Sequence, residues 1–239
     1  MVDIIEDVAP GPPTADRVAK RAIILASVSC RALIEKDAHK SGAEELRQKV
    51  FEWLQCIGVS DELEPSETAL LCTPLGKLDR RMQLNESWKS EGMVVLAWAL
   101  KNAILPPVHQ QCQPSDVANA MGFLDDRENT VLSTPQLRDA AEIEGWADTY
   151  LTLHWRLRQF SAKPSPMDFV SYVSTCAWGP LRLTELEIQG NDLAVEGVRI
   201  ERVDPQVLRQ TFSIAQERHQ AFNWLLGLEP IYSAVTTDT

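Results

Sequence analysis

Apolar side chains recur along much of this chain at alternating spacings of three and four residues, the signature of helices that bury one face. Leu84, Trp88, Glu91, Val95 and Trp98 form one such stripe. Ile143, Ala147, Tyr150, His154 and Leu157 form a second, and Phe212, Ala215, His219, Phe222 and Leu226 a third. Each stripe holds one ionisable member, Glu91, His154 or His219, at a position that points toward a core.

Read in order, the pattern predicts a mainly α, multi-helix globular domain. Thr14 caps a first helix running to about Lys36. A second spans about Ala43–Ile57 and stops at Gly58, and a short third starts near Pro65 and ends at Thr73-Pro74. The central helix is expected over Asp79–Leu105, ending at Pro106-Pro107. Its stretch from Gly92 to Leu100 is uncharged all round, as suits a helix surrounded by others. A short helix at Ser115–Met121 precedes a polar loop, and Thr134-Pro135 opens a long helix to about Phe160. Another short helix begins at Ser165-Pro166 and ends near Trp178-Gly179. From Leu181 to Ile200 the period drops to two, with turns at Gly190-Asn191 and Glu196-Gly197, which predicts a small antiparallel β meander at 181–200. Asp204-Pro205 starts the last helix, to about Leu226. Residues 1–13 read as a tail, 14–239 as a single helical domain, and 161–204 as a short-helix and β-meander excursion from it.

Burying an unpaired charge is costly, so Glu91, His154 and His219 require partners. Arg158 and Arg218 lie one helical turn from apolar neighbours and can supply a guanidinium. Three outcomes stay open: a structural network tying helices together, the lining of a ligand pocket, or an acid–base set in which Glu91 raises the basicity of a histidine. Two histidines and a carboxylate are also a conceivable ligand set, but no short-range ligand pair supports it, so no metal is expected. No cofactor is expected either. Arg156 shares a side with Thr149, Thr152 and Gln159, and Glu217 with Gln210, Ser213 and Gln220; both sides read as solvated.

Composition narrows the classes further. The formal net charge is -11, from 34 acidic and 23 basic residues, which disfavours nucleic acid and anionic lipid as partners and leaves a protein partner possible. Five cysteines without CxxC spacing suit reduced thiols in a cytoplasm. The acidic start, Met1 to Asp7, is unlike a secretory signal, and the longest apolar run, Met93 to Leu100, is too short to span a membrane. There is no GxGxxG, P-loop, GxSxG or HExxH motif. The oligomeric state is not legible.

Three segments resemble a bacterial family of unknown function, DUF4272. They are Ser87-Trp88-Lys89-Ser90-Glu91-Gly92 running on to Leu105-Pro106, then Leu153-His154-Trp155-Arg156-Leu157-Arg158, then Glu217-Arg218-His219-Gln220-Ala221-Phe222-Asn223-Trp224-Leu225 with the closing Thr237-Asp238-Thr239. The similarity extends from about Arg17 to the end. Gly92 is a departure, since a helix-favouring alanine is expected after the glutamate. The resemblance implies a mostly helical cytoplasmic protein and no particular activity. It also sets Glu91, His154, Arg218, His219 and Asn223 within the family's motifs, which gives a candidate polar cluster of Glu91, His154, Arg158, Arg218, His219 and Asn223. Two functions are carried forward: a non-enzymatic interaction or accessory protein with an acidic surface, and a small-molecule binder or hydrolase-like enzyme using that cluster.

Overall fold

A computed structural model describes residues 11–179 and 181–238, so residues 1–10 of the expected tail lie outside it. Among the described residues there are eight α-helices and one small three-stranded sheet, and the chain is mainly α. None of these helices is long and apolar enough to cross a membrane.

The centre is the pair α1 (Ala15–Ile34) and α4 (Arg80–Ala99), which pack along each other more extensively than any other two elements. Thr14 starts α1, its hydroxyl accepting from the Arg17 N–H. Every residue of α4 from Ser90 to Ala99 is buried, as suits the uncharged stretch that starts at Gly92, and Glu91 is buried with them. The helices α2 (Ala43–Ile57), α3 (Pro65–Cys72) and α5 (Pro114–Ala120) lie against the α1–α4 pair. On its other side α4 packs on α8 (Pro205–Leu225), and α8 packs on α6 (Ala140–Ala162). One apolar core cluster joins these elements, from Val18 in α1 to Val235 beyond α8.

Three boundaries differ from expectation. The central helix stops at Ala99 instead of Leu105, because Lys101 takes a left-handed conformation (φ 65°) and the Asn102 N–H turns back to the Ala97 carbonyl at 2.9 Å. The freed segment 102–113 then reaches Arg218 of α8, which bonds the carbonyls of Pro106, Pro107 and Gln110. The sixth helix begins at Ala140, not at Pro135. The segment before it stays extended because the Arg138 N–H donates to the Ala99 carbonyl (2.8 Å) and its Nε to the Trp98 carbonyl (2.7 Å). Similarly, α7 (Phe169–Thr175) starts after Pro166, where the Asp168 carboxylate accepts from the Ser171 N–H.

The meander is smaller than its pattern suggests. Its strands are β1 (Ile188–Gln189), β2 (Asp192–Val195) and β3 (Val198–Arg199), paired antiparallel in that order. Residues 181–187 form no strand and include a turn at Thr184-Glu185. All four residues of β2 are buried, which anchors the excursion on the helices. Gly11 and Pro12 are not loose either: they lie against Gly227, whose φ of +77° and missing Cβ admit their backbone.

Candidate functional site

The six cluster residues fall into three separate groups. In the first, Glu91 and Arg218 form an ion pair with both residues fully buried. Glu91 Oε2 accepts from Arg218 Nε (2.9 Å) and lies 2.7 Å from Nη2. Arg218 Nη2 also donates to the Gln110 carbonyl (2.7 Å), and Nη1 donates to the Tyr150 hydroxyl (2.8 Å) and the carbonyls of Pro106 (3.0 Å) and Pro107 (3.3 Å). Each of the three guanidinium nitrogens thus has a hydrogen-bond acceptor. The other Glu91 oxygen accepts from the Cys112 N–H at 2.9 Å. The pair therefore fastens segment 106–112 to α4, α6 and α8. Cys112, which the sequence did not single out, is pushed up to about 12 by burial and then by the Glu91 charge, so it stays a thiol. Its Sγ donates to the Ser90 carbonyl at 3.3 Å.

The second group is His154 and His219, whose Nδ1 atoms face each other at 3.1 Å. One must donate and the other accept, which two charged rings cannot do. Burial pushes His154 down to about 4, with the Arg158 charge adding to it. Burial, then His154 and Arg158, pushes His219 down to about 3. Both rings are thus neutral at neutral pH. His154 Nε2 is buried without a partner. An orphaned acceptor is cheaper than an orphaned N–H, which favours the tautomer with the proton on His154 Nδ1.

The third group lies at the surface. Arg158 donates to the Thr237 carbonyl (3.1 Å) and Asn223 Nδ2 to the Thr236 carbonyl (3.0 Å), so both hold the C-terminal segment across α6 and α8. Neither joins the other pairs through a hydrogen bond.

Of the two sides expected to be solvated, one is buried and the other is only half open, lining a groove. Arg156 is fully buried beneath the β excursion, with Nε at 2.8 Å and Nη2 at 2.7 Å from the Asp192 carboxylate. Thr149 and Thr152 beside it are buried as well. Residues 163–204 cover this face of α6, and nothing in the local period announces a second cover. Glu217 is mostly buried against α4, 3.3 Å from Lys89 Nζ. On α1, the sequence also missed Arg21, which pairs with Glu67 at 2.7 Å, and Arg31, which pairs with Glu35 at 2.7 Å. Among the described residues no group of three or more His, Cys, Asp or Glu side chains converges as metal ligands would.

The model of a domain of unknown function, DUF4272, matches residues 4–173, well over half of the chain. The chain belongs to the DUF4272 family. The match takes in Glu91, His154 and Arg158 and ends before α8, which carries Arg218, His219 and Asn223. No curated protein and no solved structure matches it.

Of five cavities found over the described residues of this DUF4272 chain, none is lined by Glu91, His154 or His219. The roomiest of these five, about 470 Å³, is a groove between the first half of α4 and the middle of α8. Leu84 and Trp88, the leading members of the first stripe, stand in it, where α4 runs out beyond the core. Leu84 is 56% exposed there. The groove also holds Glu86, Lys89 and Glu217. Burial, and then the opposing pull of Lys89 against the Glu217 charge, leaves the Glu86 carboxyl raised above its usual range. Burial likewise raises Glu217, although Lys89 beside it acts the other way. Lys89 pairs directly with Glu217 and acts on Glu86 only at longer range.

Proposed function

We propose that this protein is a non-enzymatic interaction protein of the bacterial cytoplasm, and that it grips a protein partner through the α4–α8 groove. The observation that carries the reading is the groove's composition: exposed Leu84 and half-buried Trp88 beside two carboxylates, Glu86 and Glu217, with a single lysine near them. Aromatic anchors in a pocket with charge at hand are the usual core of a protein interface. A lysine or arginine from a partner would supply the missing cation, and the net charge of -11 would steer such a basic segment inward. The hydrolase-like alternative has less support, because Glu91, His154 and His219 are closed in among their own partners, at most 1% exposed.

A photo-crosslinking residue placed at Leu84 tests this in cells, with the exposed Glu52 of α2 as control site. A discrete adduct from position 84, absent from position 52 and lost in Glu86→Gln/Glu217→Gln, is the expected result. Identical adducts at both positions, or none at 84, would sink the reading.

A further inference from the structure

The first turn of α4 carries charges of the wrong sign for a helix start. Arg80 and Arg81 stand at its N-terminus, where the backbone dipole disfavours cations. Both are exposed, and among the described residues neither side chain makes an ion pair or a hydrogen bond. A local choice that weakens the helix and gains nothing inside the molecule points to a contact outside it. Arg81, Leu84 and Trp88 follow at spacings of three and four, so they share one face of α4. Leu84 on that face is exposed.

The groove beside this basic turn has the complementary character. Glu86 lines it and has no ion-pair partner among the described residues, since the nearby Lys89 is taken by Glu217. Arg81 and Trp88 are separated by about 10 Å along one helix axis. Two α4 helices laid antiparallel about a two-fold axis next to Leu84 therefore bring Arg81 of each copy opposite Trp88 of the other. A guanidinium there can stack on the indole and reach Glu86, while Leu84 packs on its own counterpart at the axis. We infer that the occupant of the groove is a second copy of this chain, joined through antiparallel α4 helices, with Arg81 of each copy entering the other's groove and pairing with Glu86. This rests on the reading of the groove as a docking surface and names its partner. The net charge of -11 repels two copies at long range, so the contact depends on these short-range pairs.

The test is sedimentation of the full chain at concentrations up to about 100 μM, in about 0.15 M salt to screen the long-range repulsion. A reversible monomer–dimer equilibrium is expected. Arg81→Glu should weaken it about tenfold or more, because each dimer loses two charge pairs and gains two repulsions. Glu86→Arg should weaken it similarly. An equal mixture of the two variants should dimerise as the unsubstituted chain does, since both pairs are restored with their signs exchanged. Leu84→Asp, which sets like charges together at the axis, should leave only monomer. The inference is overturned if the chain stays monomeric throughout, if Arg81→Glu or Leu84→Asp leaves the equilibrium unchanged, or if the mixture associates no better than either variant alone. Should Glu86→Arg fail to fold, the exposed positions 81 and 84 decide. The photo-crosslinked adduct from position 84 should have twice the mass of the chain. An adduct of another mass, from a chain that is monomeric in solution, would overturn the dimer and leave the groove reading standing. A monomeric chain that gives no adduct would remove both.

Discussion

Arg218 shows how a buried charge becomes structural. Its donors are used by Glu91, Tyr150 and three backbone carbonyls, so removing one partner strands the rest. Glu91→Ala should therefore cost about 3–5 kcal/mol in urea unfolding, whereas Glu91→Leu/Arg218→Met should cost clearly less than the sum of the single changes. Strict additivity would refute a shared network. The histidine pair sets a pH dependence. Its folded pKa values, about 4 and about 3, lie below the ordinary 6.5. The unfolded chain then binds more protons than the folded one below pH 6.5, so stability falls on acidification, by up to about 1.4 kcal/mol per pH unit for each ring. The loss is complete once the pH is below the folded values. Glu86 and Glu217 act in the opposite sense, since their raised carboxyls relieve the fold as they protonate. The slope between pH 6.5 and 5 should thus belong to the histidines and disappear in His154→Phe/His219→Phe; a slope that persists would assign it elsewhere. Helical period indicated that Glu91, His154 and His219 point inward. It could not indicate partners, because Arg218 meets Glu91 and His154 meets His219 only through the crossing of separate helices.

At the scale of the helix, two positions go against local preference for reasons of packing and termination. Gly92, where alanine would favour the helix, lies directly under the Tyr232 hydroxyl, and a Cβ there would collide with it. That hydroxyl is itself buried and unpartnered. Gly92→Ala alone should destabilise by about 1–3 kcal/mol through overcrowding. Tyr232→Phe alone should be neutral or mildly stabilising. Together they should recover the loss, since alanine gains about 1 kcal/mol of helix propensity once the oxygen is gone. A thermal-melt cycle with no such coupling would reject the contact. Lys101 ends α4 in a left-handed conformation that glycine adopts without strain, so Lys101→Gly should raise stability by about 0.5–1 kcal/mol. Helix starts with a side-chain cap, such as Thr14 and Asp204, were legible because the signal is local. The true start of α6 was not, since Thr134-Pro135 offers a good local cap and is overruled by bonds from Arg138 to the distant end of α4.

Across the whole molecule, the four long helices form one body and residues 163–204 form a cover held to α6 from one side. The buried residues Leu193, Val195 and Ile200 supply its apolar hold. Asp192 supplies the polar one, accepting from Arg156 Nε and Nη2, from the Met167 N–H at 3.0 Å and from the Leu193 N–H at 2.8 Å. Burial works to raise its carboxyl, but these bonds from Arg156, Met167 and Leu193 hold it below the usual range, so its contribution is present at neutral pH and lost only in acid. The cover was only partly readable beforehand: its turns were signalled by Gly190-Asn191 and Glu196-Gly197, but its seat on Arg156 joins residues far apart in sequence. Because α1, α4, α6 and α8 pack on one another without it, the cover can open while they stay assembled. Asp192→Ala strands the Arg156 charge and should lower the opening free energy by about 3 kcal/mol, which raises the open population roughly a hundredfold. Brief proteolysis at neutral pH should then cut first within 163–204, about a hundredfold faster than in the unsubstituted chain, and leave the helical body as a nicked complex. Early cuts in α1 or α4 at the same rate would mean that cover and helices unfold as one unit.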